Sequence, residues 1–88
     1  LLGKLVIIYI KEQIYMQDFI SNLEITLEKK KGTITEKDIF RNYPEWDSLM
    51  VFAVLSMISD EYDVTIGRAE FDELVTVEDL YNIVMTRK

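Results

Sequence analysis

Asp47 and Ser48 set a carboxylate beside a hydroxyl immediately ahead of an apolar run, a pair of groups that could do chemistry. A serine attacks a substrate when a neighbouring base takes its proton, and the usual base is histidine. The chain has no histidine, so a self-contained hydrolase is not expected. It has no cysteine either, which removes thiolate metal sites and disulfide staples. Asp60, Glu61 and Asp63 gather carboxylates without the spacing of a calcium loop, and read as a solvated face. By themselves Asp47 and Ser48 have a plainer use as a helix N-cap, where a side-chain oxygen accepts a free backbone N–H. The chain is accordingly not expected to be an enzyme or to hold a metal.

The elements that must position this pair fit one small domain. With 88 residues there is room for a single core, and 49% apolar with 30% charged residues suits a folded chain stabilised by packing alone. Met16, Phe19, Ile20, Leu23 and Leu27 recur at helical spacing and predict a first helix that ends near Lys31. Lys29 to Lys31 suit its negative end, and Gly32 is suited to the left-handed conformation that stops it. A long connection, Thr33 to Asp47, contains the only proline at Pro44; Ile34, Ile39, Phe40 and Trp46 are expected to fasten it, with Thr35 and Asp38 capping a turn. Asp47 and Ser48 then open a second helix to about Tyr62, with Val51, Val54, Leu55, Ile58 and Tyr62 on its apolar stripe. Ala69 to Leu74 has the length of a short third helix. Thr76 and Asp79 form a capping signature for a last helix carrying Val77, Leu80, Tyr81 and Val84. The expected fold is all-α, an irregular antiparallel bundle of three main helices plus one short helix.

Residues 1–15 stand apart from this pattern. Leu5-Val6-Ile7-Ile8-Tyr9-Ile10 is strongly apolar but too short to span a bilayer, and no signal-peptide cleavage site precedes Met16. The segment is read as a lead, disordered or derived from upstream sequence, with a packed extension as the alternative; residues 16–88 are the expected domain. The net charge of −6 disfavours nucleic acid and anionic lipid as partners and favours a basic protein. A cytoplasmic monomer without membrane insertion is expected.

The stretch Glu45-Trp46-Asp47-Ser48-Leu49 resembles the Asp-Ser-Leu attachment site of acyl and peptidyl carrier proteins, which also follows a long loop and opens a helix. The resemblance continues through Asp-Glu-Tyr-Asp-Val-Thr-Ile at 60–66, similar to the family's acidic-aromatic-acidic helix end, and through Leu74-Val75-Thr76-Val77, similar to the lead into its last helix. It covers roughly Met16 to Arg87. It implies that a phosphopantetheinyl transferase moves a 4'-phosphopantetheine arm from coenzyme A to Ser48, whose terminal thiol then carries an acyl thioester to activating, condensing or acyl-transferring enzymes. With no histidine present, base and metal belong to the transferase, and Ser48 is a substrate. The resemblance gives Asp47 a part in holding the transferase's metal and Leu49 an apolar contact. It also implies an acyl pocket lined by Val54, Ile58, Ile66 and Leu74.

One departure bears on partner choice. Carriers of fatty-acid synthesis place several carboxylates on the exposed face of the second helix, whereas this chain has Met50, Phe52, Ala53, Ser56 and Met57 there, and only Asp60 and Glu61 at the far end. That pattern counts against a housekeeping role in fatty-acid biosynthesis and favours a specialised carrier of a polyketide-like, cell-surface or aminoacyl pathway, whose dedicated partner reads an apolar patch. An aminoacyl or peptidyl carrier is the close alternative. A non-carrying interaction module of the same fold is a third reading, against which the intact Ser48 stands.

Overall fold

The computed structural model describes residues 2–88 and consists of four helices with a 3-10 turn: α1 (Leu2–Thr26), the turn Phe40–Asn42, α2 (Ser48–Tyr62), α3 (Arg68–Asp72) and α4 (Val77–Arg87). There are no strands among the described residues, and three helices are long, as expected of an all-α bundle. α1 packs against both α2 and α4. Between them Phe19, Ile58, Leu80 and Val84 are sealed from solvent, and Phe71 of α3 closes the end of the same core.

α1 differs from its sequence expectation at both ends. It starts at Leu2 rather than Met16, so within residues 1–15 only Leu1 lies outside the described residues, and the rest is helix. Its buried positions still begin at Met16. It also stops at Thr26 instead of near Lys31, because Glu28 takes a left-handed φ of 56° and breaks the ladder. Gly32 does adopt a left-handed φ of 86°, but in a later turn of the connection.

Local chemistry explains the other boundaries. The Asp47 carboxylate accepts the Met50 N–H at 3.0 Å and fixes the start of α2. Asp63 ends it with φ 55°, a conformation that a short polar side chain tolerates. α3 runs over Arg68–Asp72, slightly ahead of the expected Ala69 to Leu74, since the Glu70 carboxylate accepts the Gly67 N–H at 3.1 Å and sets the start there. At α4 the Thr76 hydroxyl accepts the Asp79 N–H at 3.1 Å and the Asp79 carboxylate accepts the Thr76 N–H at 3.0 Å, a reciprocal cap. The next two N–H groups of α4, from Val77 and Glu78, donate to the Asp38 and Glu36 carbonyls at 3.0 and 2.9 Å. The long connection is therefore docked on the bundle at its middle.

Candidate functional site

Ser48 occupies the first position of α2 with its side chain in solvent. Its neighbours Asp47 and Leu49 are exposed as well, Leu49 at 76%. The first backbone N–H groups of a helix carry partial positive charge, so a negative group attached at this hydroxyl sits in a favourable field. Among the described residues nothing overhangs the serine closely enough to bury it, and an open groove of about 450 Å³ lined by Lys29, Lys30, Glu45 and Met50 reaches the same turn.

What holds Ser48 in place is the connection before it. At its start the buried Glu24 carboxylate accepts the N–H groups of Gly32 and Ile34 at 2.8 and 3.2 Å. Further on, Asp38 accepts the Thr35 N–H at 3.0 Å, the Thr35 hydroxyl at 2.7 Å and the Tyr43 hydroxyl at 2.8 Å. Partial burial pushes the Asp38 carboxyl up, but those three donors and the Lys29 charge outweigh it and hold the group below its ordinary value. Burial, followed by the Asp38 contact, pushes the Tyr43 hydroxyl well above its ordinary range. Lys29 lies 4.3 Å above the Tyr43 ring and pairs with Glu45 at 2.8 Å, which holds the Glu45 carboxyl below its usual value.

Nearest the serine, an aromatic cluster takes over. Trp46 stacks on Phe71 with centroids 6.4 Å apart, and both pack against Phe40. The Arg41 guanidinium lies 4.7 Å over the Phe40 ring and donates to the carbonyls of Leu74 and Phe71, the latter at 2.6 Å. The end of α3 is thereby bound to the segment that leads into Ser48.

The remaining residues singled out in the sequence fall into two groups. Val54, Ile58 and Ile66 are buried and Leu74 leans on the same core, so all four lie between α2 and the segments that follow it. On α2, Ala53 and Ser56 are half-exposed and Asp60 and Glu61 are exposed. Met57, expected on that surface, is buried instead, because it falls within the core stripe of Val51, Val54 and Ile58. Met50 is half-buried against the core. The dominant apolar surface near Ser48 is formed by Leu49 and Phe52, the latter 72% exposed. Glu24 and Arg41 escaped the sequence reading; the only signal for Glu24 was its place on the apolar stripe between Ile20 and Leu27.

Residues 26–84 match a family model described as a phosphopantetheine attachment site. No curated protein matches the chain.

Proposed function

The chain belongs to the phosphopantetheine attachment-site family, whose domain is the site of covalent 4'-phosphopantetheine attachment, and from that premise we propose that it is an acyl carrier protein bearing the arm on Ser48. Carrier domains of this kind are generally non-catalytic and work with a phosphopantetheinyl transferase and acyl-handling enzymes.

The observation that carries the assignment to Ser48 is its exposed hydroxyl in the first turn of α2, inside the matched region and beside the Asp47 carboxylate. In the transfer the serine oxygen forms a phosphodiester with the arm's phosphate. Coenzyme A releases its adenosine bisphosphate portion, and the serine proton passes to a base on the transferase. Asp47 serves twice, as the cap of α2 and as a carboxylate that helps hold the transferase's metal, while Leu49 provides an apolar contact. Once attached, the arm supplies a thiol that carries the acyl group as a thioester. Val54, Ile58, Ile66 and Leu74 are the residues along which an acyl chain would lie, and Ala53, Ser56, Asp60 and Glu61 join Leu49 and Phe52 in facing partner enzymes. Residues 16–88 are the carrier domain, acting in the cytoplasm.

The exposed Phe52 and the scarcity of carboxylates near Ser48 support a dedicated partner outside housekeeping fatty-acid synthesis, and the same observation keeps an aminoacyl or peptidyl cargo as the second reading. Intact mass after incubation with coenzyme A and a broad-specificity transferase tests the assignment. The wild-type chain gains one arm; Ser48→Ala stays folded and gains none. An arm on the alanine variant would move the site elsewhere.

A further inference from the structure

α1 continues well past the bundle it serves. Its buried positions run from Met16 to Glu24, yet the helix starts at Leu2, and about 21 Å of helix, at 1.5 Å per residue, precedes Met16. The molecule measures 46 × 27 × 21 Å, elongated as such a projection requires. Every residue from Leu5 to Ile10 is a large apolar side chain between 48 and 63% exposed. A contiguous apolar surface of that extent is normally covered by something.

We propose that the N-terminal half of α1 is a self-association surface at which two copies of this chain pair their first helices antiparallel. The inference does not depend on Ser48. Ile7, Ile10 and Ile14 follow one another at spacings of three and four, and on a helical wheel they fall on the side opposite the Met16, Phe19, Ile20 and Leu23 stripe. An apolar groove of about 290 Å³ lined by Tyr9, Ile10, Gln13 and Ile14 lies on this outward side and suits an interdigitating isoleucine. The seam is flanked by Lys4, Lys11 and Asp18, seven residues apart and all exposed.

Those flanking charges choose both the occupant and its direction. In a parallel pair Lys11 and Asp18 lie across the seam from Val6 and Gln13 of the second copy, so no opposite charges meet. In an antiparallel pair Lys4 meets Asp18 of the second copy twice, and only Lys11 meets its own kind. In this register Ile7 and Ile14 of the second copy, and the two copies of Ile10, come within two residues of the same level. Each projecting segment then runs mainly along the other copy's projecting segment instead of through water. An anionic bilayer is the poorer occupant, because it attracts Lys4 and Lys11 but repels Asp18 on the same flank of the seam, whereas a second copy pairs Asp18 with Lys4. No helix among the described residues is long and apolar enough to cross a membrane.

Sedimentation equilibrium of the full chain at low salt, across a range of concentrations, tests the pairing. A monomer–dimer equilibrium is expected. Ile10→Glu, at a position exposed in the monomer, should weaken it by at least about tenfold, as removal of a central interface contact does, with far-UV circular dichroism unchanged. Lys4→Glu and Asp18→Lys should each weaken it by about two- to tenfold, since two exposed pairs are lost per dimer, and the double variant should recover most of the loss. A monomer at all concentrations overturns the proposal, and flotation of that monomer with vesicles of phosphatidylcholine and phosphatidylglycerol would identify lipid as the occupant. A dimer indifferent to Ile10→Glu also overturns it, by placing the interface elsewhere.

Discussion

At Glu24 one carboxylate oxygen accepts two backbone N–H groups, those of Gly32 and Ile34, while the side chain itself is buried. Glu24→Ala would leave both donors without a partner, each at a cost of about 1–3 kcal/mol when shielded from water. We expect this variant to lose about 2–4 kcal/mol of folding free energy in urea titration, and Glu24→Gln, which keeps an accepting oxygen, to lose much less. Equal stability of the alanine variant and wild type would show that water replaces the carboxylate at no cost. Asp47 and Ser48 were legible in the sequence because an N-cap is a local pattern: the cap bond spans three residues. The contacts of Glu24 and Arg41 span from 8 to 33 residues, and no periodicity encodes them.

Among the elements, α2 and α4 could be read directly from apolar spacing and caps, whereas the end of α1 could not. The lysines after Leu27 promised a continuing last turn, but Glu28 takes the left-handed conformation and frees Lys29 to pair with Glu45. A tertiary contact decides that boundary. Acid stability belongs to this scale, since Asp79 caps α4 and Asp38 organises the connection. The backbone N–H groups of Thr76 and Val75 hold the Asp79 carboxyl below its ordinary 3.8, and Asp38 is lowered too. A carboxyl lowered in the folded state contributes stability that is fully present above its unfolded value and is lost as pH falls through the folded one. The melting temperature should therefore hold from neutral pH to about pH 4 and fall below it, with a shallower fall in Asp38→Asn and Asp79→Asn. Parallel acid limbs for wild type and both variants would remove these carboxylates from the explanation.

For the molecule as a whole, the core begins at Met16 on α1, so a chain of residues 16–88 should melt within a few degrees of the full one. A loss of several kcal/mol on truncation, out of about 5–15 available to a single domain, would put residues 2–15 into the folding unit. The uneven surface of α2 bears on partner choice in the same way. A generic fatty-acid ketosynthase that reads carriers through Lys and Arg finds Leu49 and Phe52 near the serine and acids only at Asp60 and Glu61. It should turn over the loaded protein poorly at low salt, and each acid introduced by Ala53→Glu with Ser56→Asp should recover about 0.2–1 kcal/mol, fading as salt rises. Turnover equal to that of a standard fatty-acid carrier at low salt would restore the housekeeping role.

Trp46 is the only tryptophan in the chain, and it lies against Phe71 two residues before Ser48. The indole is thus a built-in fluorophore beside the hydroxyl proposed to take the arm, with no second emitter of its kind to blur the signal. Attachment of an arm, or a shift of α3 away from Trp46, changes the surroundings of that one ring. Emission wavelength and quenching by iodide can then follow loading in real time on the unlabelled chain.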